Sequence, residues 1–198
     1  MNTLAHLQLA LPDDGWLAGA VLGDYWRGAP DPGWPPSLHQ GVILHRRIDS
    51  FTDSHPDLLR ARSRFAAPFR RYAGILLDVW FDHRLAIHGE ALGVDDPALL
   101  QARLDAALQR YGAHLPAPAL RFGRAVVRER RLEAYRDPAA VAQALGWLST
   151  RLRHDNPLER GLEALQPLAP SLEEDFLAFW PMLKAHADAL KAGWREPD

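Results

Sequence analysis

Apolar residues along the chain recur at helical rather than strand spacing. Runs rich in Val, Ile and Thr with period-two alternation hardly occur, whereas the segments between prolines carry Leu, Ala, Arg, Glu and Gln in a helical repeat. The pattern predicts helices at about 14–27, 37–54, 56–65, 68–90, 96–113, 118–135, 138–152, 157–168 and 171–192. Pro12, Pro56, Pro68, Pro97, Pro116, Pro118, Pro138, Pro157 and Pro170 fall at or near the first turns, where a missing N–H is harmless. Ser37 and Ser171 read as N-caps, the second with Glu174 three residues on as a capping box. Pro30-Asp31-Pro32-Gly33-Trp34-Pro35-Pro36 reads as a stiff loop between the first two of these helices. No fixed-period repeat or low-complexity linker interrupts the pattern, so residues 1–198 are expected to form one all-α domain.

Composition narrows the chemistry. With 198 residues, 47% hydrophobic and 24% charged, the chain can bury a core without covalent staples. It has no cysteine, which excludes disulfides, thiolate zinc sites, iron–sulfur clusters and cysteine nucleophiles, and fits a reducing cytoplasm. A net charge of −2 gives no reason to expect nucleic acid as a partner. No apolar run approaches a membrane span, and the first ten residues are too short and uncharged for a secretory signal. A cytoplasmic protein is expected. Of 23 basic residues 21 are arginines, which suit bidentate phosphate recognition, although GC-rich codon usage would give the same bias.

Candidate chemistry gathers in the first 90 residues, which hold His6, His39, His45, His55, His83 and His88 together with Asp24, Asp49, Asp53, Asp78 and Asp82. In the 37–54 helix His45 and Asp49 are four apart and share a face. Asp78 and Asp82 are also four apart, within Gly74-Ile75-Leu76-Leu77-Asp78-Val79-Trp80-Phe81-Asp82-His83. Two carboxylates in so apolar a stretch need compensation, from a divalent metal or from arginines such as Arg46, Arg47 or Arg84. Asp24 sits at the end of a small-residue helix, where the macrodipole disfavours an anion, so a metal or Arg27 should hold it. His6, between Leu4 and Leu7, reads as a hydrogen-bonded core residue rather than a ligand. Taken jointly, the His/Asp and Asp/Asp pairs point to an oxygen/nitrogen metal site in a helix bundle, suited to manganese, magnesium or iron. No Glu-x-x-His pair occurs, which argues against a di-iron bundle.

Asn2-Thr3-Leu4-Ala5-His6-Leu7, Leu22-Gly23-Asp24-Tyr25-Trp26-Arg27-Gly28, His45-Arg46-Arg47-Ile48-Asp49 with Thr52-Asp53, and Leu77-Asp78-Val79-Trp80-Phe81-Asp82-His83 resemble the acyl carrier protein phosphodiesterase family. Phe179-Trp180-Pro181 is similar to that family's aromatic-proline signature, while Gly23 stands where alanine is expected. The resemblance implies a fold like the HD phosphohydrolases and hydrolysis of the phosphodiester between 4′-phosphopantetheine and a serine of holo-acyl carrier protein. It also implies a divalent cation, preferably Mn²⁺, with Mg²⁺ or Fe²⁺ as substitutes. The usual His-Asp dipeptide is reversed here as Asp82-His83.

On that resemblance Asp24, His45, Asp49, Asp78 and Asp82 are expected to ligate the metal or support its ligands. His83, or failing it His6, would protonate the leaving serine. Arg27, Arg46 and Arg47 would hold the phosphate. Trp26, Trp34 and Trp80 would either line a channel for the pantetheine arm or belong to the core. The basic stretch 101–136, with Arg121, Arg124, Arg128 and Arg131, would dock the acidic carrier protein or simply form a solvated helix face. The competing expectations are a phosphohydrolase of a small nucleotide or phosphomonoester, and a helical protein that binds carrier protein without cutting it.

Overall fold

Prolines and short acidic caps start the helices. Asp13 accepts from the Trp16 N–H, Asp96 from Ala98 and Asp137 from Ala139, each satisfying a donor that the first turn leaves open. In a computed structural model, residues 3–194 are described. They form α1 (Thr3–Ala10), α2 (Asp14–Leu22), α3 (Pro36–Ser54), α4 (Pro56–Ser63), α5 (Ala73–His88), α6 (Pro97–Tyr111), α7 (Ala117–Arg128), α8 (Arg131–Ala134), α9 (Pro138–Arg151), α10 (Gly161–Leu165) and α11 (Ala169–Ala192). No strand occurs among the described residues, so the all-α expectation holds.

The centre of the bundle is formed by α1 and α2. In α1 every residue from Leu4 to Ala10 is buried, and in α2 every residue from Gly15 to Leu22. Around them stand α3, α5, α6 and α11, all of which touch α1. A helix buried on all sides has no polar face, so α1 carries no 3.6-residue signal, and the hydropathy pattern predicts no helix there.

Three small residues decide how closely α2 and α3 pack. Gly15, Gly19 and Gly23 recur every fourth residue and lie against α3. A Cβ on Gly19 would lie 2.6 Å from the Gly41 backbone carbons, and one on Gly41 2.7 Å from the Trp16 Cα. A Cβ on Gly23 would run into the His45 ring. Backbone therefore meets backbone, and the stripe ends at a candidate functional side chain.

Several sequence expectations need correction: the 14–27 helix ends at Leu22 and the 68–90 helix begins at Ala73. Ser37 is not a cap, since α3 begins at Pro36 and the Ser37 hydroxyl pairs with Tyr111 Oη at 3.1 Å. Ser171 lies inside α11 and donates back to the Leu168 carbonyl, because Pro170 already starts the helix. The 118–135 helix breaks at Arg130, whose φ of 50° is left-handed, and the break turns Leu132 into the core. The 157–168 segment splits into two 3₁₀ turns around α10, with Pro167 unable to donate in the second.

Candidate metal centre and adjoining cavity

Helix α1 supplies His6, α3 supplies His45 and Asp49 one turn apart, and the turn after α2 supplies Asp24. His6 Nε2 lies 3.0 Å from Asp49 Oδ1, and His45 Nε2 lies 3.2 Å from Asp49 Oδ2 and 3.4 Å from Asp24 Oδ1. The two imidazoles stack with centroids 3.9 Å apart. One donor atom each from His6, His45 and Asp49 fall within 4.8 Å of one another, a grouping that could hold a metal ion. The rings form a buried floor, whereas the Asp24 side chain is 68% exposed, so the cluster opens on its carboxylate side.

Charge in the cluster is tightly shared. Burial opposes a charge on His45, but hydrogen bonds and attraction from Asp24 and Asp49 outweigh it and push the imidazole up to about 9. Burial and the neighbouring His45 hold His6 down at about 4, against its bond to Asp49. Burial would raise Asp49, yet its bonds to His45 and His6 hold the carboxyl well below the usual range. The His45 proton thus offsets one of the two carboxylate charges. A divalent cation would neutralise both, and two imidazole nitrogens with two carboxylates and no sulfur suit a manganese-like ion. The residues present fit such a group.

These shifts set a pH dependence for the metal-free protein. His45 is raised above its ordinary 6.5, so its stabilisation is complete below that pH and lost as pH climbs through about 9. His6 is lowered, so its contribution is complete above 6.5 and lost as pH falls through about 4. Stability in chelator should fall by about 1–3 kcal/mol as pH climbs from 6.5 through about 9. Between about 4 and 6.5 the gain from His6 is offset by Asp82, whose raised carboxyl favours the acid side. Melting curves across the range check this, and Asp49→Asn should flatten the alkaline wing. A melting temperature that rises steadily above neutral would contradict the pairing.

The expected second carboxylate pair divides. Asp78 lines, with Asp24, a cavity of about 600 Å³ between α5, α7 and α9, and burial pushes its carboxyl upward. Asp82, fully buried, does not reach the cluster. It accepts the Leu4 N–H at 2.8 Å and the Ala5 N–H at 3.1 Å, capping the first turn of α1. Burial drives its carboxyl up to about 7, against these two donors. Its compensation is backbone rather than metal or arginine. His6 takes the place in the cluster that spacing suggested for Asp82.

The remaining expectations fall elsewhere. His83 Nδ1 pairs with the Tyr135 carbonyl at 2.7 Å, and its charged neighbours are Arg84, Glu173 and Asp137, none of them in the cluster. Arg46 is spent on main chain, donating to the Trp26 and Gly28 carbonyls at 2.6 Å each. Arg27 and Arg47 are exposed, and Arg84 pairs with Glu173 rather than with an aspartate of α5. Trp26 packs edge-on against Trp34 and donates to Ala29, while Trp80 is core. The tryptophan on the cavity wall is Trp147, which no local signal marked.

A family model described as acyl carrier protein phosphodiesterase matches residues 1–183. The chain belongs to the acyl carrier protein phosphodiesterase family. It is 36% identical over 190 residues to acyl carrier protein phosphodiesterases of Salmonella agona, Salmonella newport and Salmonella heidelberg, covering 94% of this chain and 97% of each relative. No solved structure matches. Among the described residues no helix is long and apolar enough to cross a membrane.

Proposed function

We propose that the protein cleaves the phosphodiester joining 4′-phosphopantetheine to a serine of holo-acyl carrier protein, releasing the apo carrier and free phosphopantetheine. The observation that carries this is the His6–His45–Asp49 cluster in a chain of that family, opening through Asp24 to the surface. A bound divalent cation, Mn²⁺ by the family resemblance, would neutralise the phosphodiester and activate a water. His6 and His45 fix the buried side of its seat, Asp49 joins them, and Asp24 closes the open side. Serine alkoxide is a poor leaving group, so a proton donor is needed, and Asp78 at the cavity wall, whose carboxyl burial pushes upward, is the candidate. Docking of the acidic carrier fits the outer face of α7, where Arg121 and Arg124 are exposed while Phe122 and Val126 face the cavity. Arg128 and Arg131 add less charge there, since both pair with Glu129.

Mass spectrometry of purified holo-acyl carrier protein incubated with the enzyme and Mn²⁺ tests the reading. Loss of the phosphopantetheine mass with Mn²⁺ but not with EDTA is the expected result. A carrier left intact under both conditions would overturn it.

A further inference from the structure

The cavity beside the metal centre is larger than a phosphate and a water require. Its volume, about 600 Å³, lies in the range of roughly 300–1,000 Å³ typical of small-molecule sites. Asp24 belongs to both the cluster and the cavity wall, so the two adjoin at that residue. From there the cavity runs inward between Val79 of α5, Phe122 and Val126 of α7, and Leu148 of α9. Gln143, Tyr25 and Arg151 interrupt these apolar walls with hydrogen-bonding groups.

We propose that this cavity seats the pantetheine arm of the substrate, with the phosphodiester at the Asp24 end and the carrier protein outside. The proposal rests on the phosphodiesterase reading and extends it to a subsite. The arm alternates amides and a hydroxyl with methyl and methylene groups, and the wall offers both kinds of partner. A nucleotide polyphosphate would need a row of free cations. Among the described residues only two arginines line the cavity, and one of them, Arg131, already pairs with Glu129 at 2.6 Å. At the rim Trp147 is 41% exposed, with the Arg151 guanidinium 4.7 Å from its ring centroid, a flat wall for an extended chain. Ala144, which also lines the cavity, is small enough that a larger side chain would fill the space.

The test uses Ala144→Phe and Trp147→Ala in the full chain. Calorimetry with D-pantetheine on chelated protein should detect binding to the wild type at millimolar concentration and at least a tenfold loss in each variant. With Mn²⁺, kcat/KM on holo-acyl carrier protein should fall at least tenfold, while the bound Mn²⁺ content stays unchanged. Trp147 is exposed, so its variant reads the subsite even if Ala144→Phe unfolds. Absence of pantetheine binding by the wild type, or variants that bind pantetheine and cleave holo carrier as the wild type does, would overturn the proposal. Pantetheine binding without carrier cleavage by the wild type would instead remove the phosphodiesterase reading and leave the cavity as a pantetheine site.

Discussion

Asp49→Ala should lower kcat/KM on holo-acyl carrier protein by about a thousandfold or more and strip the bound cation, with the helical fold intact. Asp49 meets both buried imidazoles, and its own side chain is 39% exposed, so its removal disconnects the donor set without opening a core void. The informative comparison is Asp82→Ala. That change leaves the Leu4 and Ala5 N–H groups buried without their acceptor, at a cost of about 2–4 kcal/mol. It loosens the helix that carries His6, so activity should fall together with melting temperature. Metal analysis, circular dichroism and melting curves separate the two. If Asp49→Ala keeps full activity, or if Asp82→Ala loses metal with no loss of stability, the assignment of ligand and support is reversed.

The other large effect is on stability. Gly19→Ala should cost about 3 kcal/mol and lower the melting temperature by roughly 6–12 °C. Its Cβ would lie 2.6 Å from the backbone of Gly41, and backbone cannot rotate aside as a side chain does. The two helices would have to part, and His45 and Asp24 ride on opposite sides of that contact. Gly146→Ala is the control, since nothing lies within 4 Å of the added methyl group. Equal melting temperatures for the two variants would mean that the α2–α3 contact is looser than described.

What the sequence made legible was the chemistry that local spacing encodes. His45 and Asp49 share a face because they are one turn apart, and Asp24 was marked by an anion at the wrong end of a helix. Spacing also placed Asp78 and Asp82 on one face of α5, but it cannot say what lies opposite each. One turn along the helix separates a cavity wall from the underside of α1. His6 looked like core because it is core, 4% exposed, and its ligand geometry arises only when residues 6 and 49 meet across the bundle. The cavity was illegible for the same reason: Tyr25, Val79, Phe122 and Trp147 come from segments far apart in the chain.

Arg46, the residue next to His45, grips the carbonyls of Trp26 and Gly28 just beyond Asp24. The chain leaving α2 is therefore bolted to α3 before the proline-rich segment begins. Trp34 packs on Trp26 and Pro35 opens α3, so the part that can change with little effect on the distance between Asp24 and His45 is residues 30–33. That stretch is where this scaffold can absorb insertions, length changes or a grafted epitope while the cluster keeps its spacing.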